Sequence, residues 1–217
     1  MKKALFFRGG WDGHEPVQTS ELVAAELEKR GLKSDIFDTQ DALLQEHLSD
    51  KYSVNVPVWT MGPLPREPGR ALLTAVASGV GIGGWHGGMC DAFRDHTDYQ
   101  FMTGGQWVAH PGGIVPYRVN ICGNDPIVRG IQDFDMHSEH YYMHVDPGNE
   151  VLATTRFDNA DLPWIAGTVM PVVWKRRYGT GRVFYSSLGH TSLDFKNVPE
   201  VLEITVRGIL WAARQID

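Results

Sequence analysis

Near the middle of the chain, Gly83-Gly84-Trp85-His86-Gly87-Gly88 sets one histidine between two pairs of glycines. A strand running into such a segment can turn sharply and lift its central side chain above the sheet edge, the geometry of a nucleophile elbow. Imidazole at that point suits general acid–base work or metal ligation near neutral pH. The plainer alternative is a glycine-rich turn with an incidental histidine. His190 follows a glycine in Ser186-Ser187-Leu188-Gly189-His190-Thr191, where a second expected strand ends. It is placed to enter a cleft there, or else to cap a helix or face solvent. His14, in Trp11-Asp12-Gly13-His14-Glu15, lies near an expected helix start, where the dipole disfavours the imidazolium and leaves a neutral ring. Asp12 fits a turn or cap role in the same segment.

Other candidates are weaker. Gly104-Gly105-Gln106-Trp107-Val108-Ala109-His110-Pro111-Gly112-Gly113 offers an aromatic ring beside polar groups, the combination a pyranose binds, though a structural loop held by Trp107 explains it as well. Cys90, four residues past His86, is the rival nucleophile, with a buried structural thiol as the plainer reading. His137, His140 and His144 invite a metal reading, but 140–145 has strand composition. There His140 and His144 face one way, and Glu139, Tyr141 and Met143 the other. That gives a solvated strand face and no HExxH or zinc-ribbon spacing. A zinc or manganese site assembled from distant loops is left open by spacing alone.

These residues need a scaffold, and the composition allows one. The chain has 217 residues, 42% hydrophobic and 21% charged, enough for one domain spanning 1–217 with a sizeable core. A net charge of −6 gives no indication of a nucleic-acid partner. No apolar run reaches the roughly 20 residues of a membrane helix, and Arg8 ends the opening apolar stretch too early for a signal peptide. Two cysteines without a CxxC predict free thiols and a cytoplasmic setting. Neither GxGxxG at a helix start nor a Walker A loop is present, so dinucleotide and ATP find no support.

Hydrophobic patterning predicts strands over 3–7, 34–37, 52–59 and 80–84, with helices over 16–31, 41–48 and 69–77 and a proline-rich loop over 60–68. Alternation of this kind predicts a parallel sheet with helices on both faces and ligands beyond the carboxyl ends of the strands. Strands are expected over 114–122, 140–145, 151–157 and 172–178. A hairpin turn at 178–182 then leads to a strand over 183–186, and the last helix covers 198–213. The second half is therefore β-rich.

Taken in order, Gly-Trp-Asp-Gly-His14-Glu-Pro, Gly-Gly-Trp-His86-Gly-Gly-Met, Gly-Gly-Gln-Trp-Val-Ala-His110-Pro, Asp125-Pro-Ile-Val-Arg-Gly-Ile, Glu139-His-Tyr-Tyr and Gly181-Arg-Val-Phe-Tyr-Ser-Ser-Leu-Gly-His190 resemble the ThuA-like trehalose-utilisation proteins over nearly the whole chain. The resemblance implies an α/β fold like the class I glutamine amidotransferases, a flavodoxin-like three-layer sandwich with a mostly parallel central sheet. In those relatives the elbow carries cysteine and a later histidine completes the site. Here His86 holds the elbow and His190 the later place. The family name implies disaccharide catabolism beside dehydrogenases that make 3-keto sugars.

The resulting expectation is an enzyme acting on a trehalose-type sugar or its 3-keto form: a lyase, hydrolase or isomerase without an elbow cysteine. His86 and His190 form the acid/base pair, and Glu139 orients one of them. His14, Trp85, Gln106, His110 and Tyr141 line the substrate pocket. The sequence names no cofactor for certain, and a divalent metal (zinc or manganese) held by some of these histidines would polarise the keto oxygen. The partner is a small sugar, with no nucleic acid or membrane, and a homo-oligomer is the default state. A non-catalytic sugar-binding or sensory module is the alternative, and a Cys90 hydrolase or amidase a third.

Overall fold

The computed structural model describes residues 2–158 and 162–217. Strand β1 (Lys3–Gly10) opens with Ala4, Leu5, Phe6 and Phe7, all fully buried. Successive strand side chains face opposite ways, so both faces of this strand must be covered. Ala4 and Phe6 join a core with Val23 and Leu27 of helix α1 (Pro16–Lys29). Leu5 and Phe7 join another with Leu72 and Val76 of α3 (Arg66–Ala77). β2 (Ser34–Phe37), β3 (Tyr52–Thr60), β4 (Gly81–Trp85) and the late β11 (Gly181–Ser186) run parallel to β1, in the order β2-β1-β3-β4-β11.

Beyond β11 the same sheet turns antiparallel through β10 (Val169–Tyr178), β9 (Glu150–Arg156), β6 (Ile114–Ile121) and β7 (Phe134–Glu139). The sheet is therefore mixed, nine strands wide, with four parallel and four antiparallel pairings; the expectation of a mostly parallel sheet holds for its first half only. The predicted hairpin is present, with Tyr178 paired to Gly181 around Gly179 and Thr180. A separate ribbon pairs β5 (Gly105–Ala109) with β8 (Tyr142–Val145). The remaining helices are α2 (Leu48–Lys51), α4 (His86–Cys90), α5 (Thr97–Thr103), α6 (Ser192–Asn197) and α7 (Pro199–Ala212). Among the described residues, no helix is long and apolar enough to cross a membrane.

Three local expectations are corrected. The helix expected over 41–48 is a 3-10 turn, Gln40–Leu44, followed by the single turn of α2. The helix expected to begin after the proline-rich loop starts at Arg66, with Pro68 in its first turn, where a missing amide costs nothing. The strand expected over 140–145 is only β8, Tyr142–Val145, and His140 and Tyr141 form a break that separates it from β7. The break buries His140, so the expected solvated face does not exist there. Its ring is stacked 4.4 Å from Tyr117 and 3.8 Å from Phe157, and Nε2 meets Thr155 Oγ1 at 2.6 Å. His137 and His144 are exposed on separate strands.

Candidate active site and metal-ligating cluster

Three parallel strands deliver a histidine from the same end of the sheet. His14 follows β1 in the 3-10 turn Asp12–His14, His86 follows β4 directly, and His190 follows β11. β3 ends at Thr60, whose Oγ1 lies 2.8 Å from His14 Nδ1. Glu139 comes from the far edge: β11, β10, β9 and β6 lie between β4 and β7 in the sheet order. Yet Glu139 Oε2 is 3.1 Å from His86 Nε2. The antiparallel half must therefore curl back over the carboxyl ends of the parallel strands.

The elbow is present as expected. His86 adopts a left-handed backbone, φ +44°, between extended Trp85 and the helix α4. Such a conformation is costly for a residue with a side chain and persists where the surroundings enforce it. Gly87 shows why the flanking glycines are needed: a Cβ there would come within 2.4 Å of the His14 ring and 3.0 Å of Tyr141 Oη. The close approach of two loops depends on that missing atom.

Around Glu139 the imidazoles converge. Beyond His86, His14 Nε2 stands 3.7 Å from Oε2, and His190 Nε2 and His110 Nε2 stand 3.7 and 3.8 Å from Oε1. Ligand atoms of His14, His86, Glu139 and His190 lie within 4.8 Å of one another. Neighbouring side chains fix them. Ser192 N donates to Glu15 Oε2, tying the start of α1 to α6. Asp194 Oδ2 accepts from both Ser138 Oγ and His190 N, so one carboxylate holds β7 against the His190 loop. Tyr117 Oη donates to the Glu139 carbonyl. Tyr141 stacks on His86 with centroids 4.0 Å apart.

The protonation pattern is informative. His86 is 1% exposed, and burial drives its pKa down to about 3, so the ring is neutral. Its Nδ1 lies 2.8 Å from the Ser187 carbonyl, which only accepts, so Nδ1 carries the proton. Nε2 therefore turns a lone pair toward Glu139. Burial pushes the Glu139 carboxyl up, but the imidazoles of His14, His86 and His190 around it outweigh that and hold the group well below the usual range. A lone pair facing a carboxylate at 3.1 Å calls for a cation or a shared proton between them. The outward nitrogens are engaged in the manner of metal-bound imidazoles, His86 Nδ1 on a carbonyl and His14 Nδ1 on a hydroxyl. Three imidazoles and one carboxylate are a zinc-type donor set.

A cavity of about 150 Å³ opens on this cluster, lined by His14, Glu139, His110 and Tyr141 and by Trp11, Met61, Asp91, Arg94 and Trp107. Of the eight residues singled out in sequence, His14, His86, Glu139, His190, His110 and Tyr141 come together. Trp85 does not: as the last residue of β4 it points away from His86, is 2% exposed, and packs edge-on against Phe195 in the core. Gln106 also stays off the lining, its amide donating to the Trp107 carbonyl. Asp91 and Arg94 escaped sequence reasoning because Cys90-Asp91-Ala92-Phe93-Arg94 matches no motif; their three-residue spacing just after the elbow was the available signal. Cys90 is buried below the site, its thiol pushed up far above its ordinary value by burial, which suits a structural thiol and no nucleophile.

A model of the family described as "ThuA: Trehalose utilisation" matches residues 3–212. The fold is similar to that of a ThuA-like protein from Parabacteroides merdae, with TM-score 0.76 and 19% identity over 99% of this chain and 90% of that one. A ThuA-like protein from Bacteroides uniformis is similar at TM-score 0.76 and 20% identity, covering 97% and 91%. A cytoplasmic protein of Salmonella typhimurium matches at TM-score 0.64 and 12% identity, covering 99% of both chains. At these identities the likeness concerns the fold alone. No curated protein matches the sequence.

Proposed function

The chain belongs to the trehalose-utilisation family, and on that premise we propose that it is an enzyme of disaccharide catabolism, acting on a trehalose-type sugar or its 3-keto form by histidine-based, metal-assisted proton transfer. The carrying observation is the convergence of His14, His86, His190 and Glu139 on one point beside a cavity. The scaffold reading is a single flavodoxin-like domain of the class I glutamine amidotransferase type. The parallel order β2-β1-β3-β4-β11 supports it, since it corresponds to the 2-1-3-4-5 winding of that fold. The setting is cytoplasmic, in keeping with two free thiols and with the Salmonella neighbour.

A 3-keto sugar carries an acidified proton at C2. Removing it while the C1–O bond breaks leaves a C1=C2 double bond conjugated to the C3 carbonyl, and the departing sugar oxygen takes up a proton. The reaction needs charge stabilisation at the keto oxygen and a group that carries a proton. His14, His86, His190 and Glu139 would hold a zinc ion, which supplies the first. His86 and His190 then act in catalysis as ligands with Glu139, and His110 is left as the proton carrier. It is partly exposed at the cavity, and among the described residues its Nδ1 has no partner.

Incubation of purified protein with 3-ketotrehalose tests this reading. The chain should release monosaccharide product, and His86→Ala should abolish turnover while the circular dichroism spectrum is unchanged. Saturable binding without product would make the chain a sugar-binding module instead.

A further inference from the structure

The cavity wall holds groups that the proton chemistry leaves idle. Arg94 Nε donates to Asp91 Oδ1 at 2.6 Å and Nη2 to Oδ2 at 2.9 Å, a bidentate pair with a buried carboxylate. The same guanidinium lies over Trp107, its Cζ 4.5 Å from the ring centroid. An arginine bound through one edge and stacked on one face is locked, although its side chain is partly exposed. Among the described residues, its Nη1 has no acceptor, and the indole Nε1 of Trp107 is buried without a partner. A buried donor left unpaired, as Trp107 Nε1 is, is costly unless a ligand meets it, and the exposed Arg94 Nη1 beside it is open to the same ligand. At the rim, Trp11 is 48% exposed, yet its indole lies against Gly13, where a Cβ would come within 2.4 Å of the ring. A built-in glycine thus holds an open aromatic face in place.

We infer that Arg94, Asp91 and Trp107 read the hydroxyls of one uncharged pyranose ring, with Trp11 as the platform for its apolar face. The inference rests on the sugar reading of the site and names the form of sugar it takes. Hydroxyls both donate and accept, so they match a wall that offers free N–H groups beside a carboxylate. A phosphate or carboxylate on the ring finds no free cationic side chain in this wall, because Asp91 already pairs with Arg94. At about 30 Å³ per water, a cavity of about 150 Å³ holds roughly five waters, the scale of one ring and well short of two. The second sugar of a disaccharide would remain at the mouth.

The test is a titration of ¹⁵N-labelled, metal-loaded protein followed on the indole N–H signals, with Trp107→Phe identifying the Trp107 signal by its loss. Glucose and trehalose should shift that signal saturably, and glucose 6-phosphate should leave it unmoved at the same concentration. Arg94→Lys keeps the charge and loses the fork; it should weaken sugar binding about tenfold and raise KM with kcat retained. A Trp107 signal unmoved by neutral sugars, or moved equally by glucose 6-phosphate, would overturn the inference. Binding as expected with no turnover of any sugar would uphold it and sink the catalytic reading.

Discussion

The two halves of the sheet bring different chemistry to one point. The parallel half supplies His14, His86 and His190 from strand ends, with His14 held by Thr60, His86 by the Ser187 carbonyl, and the starts of α1 and α6 tied through Glu15 and Ser192. The antiparallel half supplies the carboxylate: Glu139 ends β7, the 140–141 break adds Tyr141, and the separate β5–β8 ribbon adds Trp107, with His110 just past β5. One half thus presents imidazole nitrogens on a rigid base, and the other closes over them with charge and aromatic surface. The division accounts for two buried histidines of unlike fate. His86 sits where the halves meet and faces a carboxylate; His140 sits within the antiparallel half between two aromatic rings, with a hydroxyl as partner.

Breaking the junction should have the largest effect. Glu139→Gln removes the one carboxylate among the four ligands, and metal affinity should fall at least about a hundredfold, with turnover, as read by chelator competition. Gly87→Ala strikes first at the parallel half. Its Cβ would drive the His14 ring aside, so metal affinity should drop roughly tenfold while the fold survives thermal denaturation. His140→Phe tests the other half. It keeps the aromatic stack but strands the Thr155 hydroxyl, at a cost of about 1–3 kcal/mol in denaturant unfolding, with metal content unchanged. An altered metal content in that variant would show that the two histidines share one role.

The smallest effect belongs to the helix layer. Hydrogen bonds from Arg30, with the charge of Arg207, hold the Glu203 carboxyl below its ordinary 4.5. A carboxyl lowered in the folded state stabilises the fold above that pH and loses the contribution as pH falls through the folded value. Glu203 and its arginine partners are partly exposed to solvent, which screens the pairs, so the gain is under about 1 kcal/mol. Glu203→Gln should flatten the acid limb of the stability curve slightly and leave the site untouched.

Much of the parallel half was legible in the sequence. Short apolar runs end in glycine-rich turns there, and a ligand site beyond strand ends is where such turns lead. That logic located His14, His86 and His190. It failed for Trp85, because adjacency to His86 in sequence reverses direction at a strand's last residue. The antiparallel half was harder to read. β7 alternates exposed Asp135 and His137 with buried Phe134 and Met136, yet its end runs without a turn residue into His140 and Tyr141, so β7 went unrecognised and 140–145 read as one strand. The Arg94–Asp91 pair and the curl that carries Glu139 across four intervening strands depend on tertiary packing that no local pattern encodes.

Metal analysis of the purified chain beside Glu139→Gln bears most directly on the central claim. We expect close to one zinc per chain in the native protein and a marked loss in the variant. Native protein that stays free of metal after incubation with zinc and removal of excess would contradict it, and would leave a shared proton between His86 and Glu139 as the meaning of their contact.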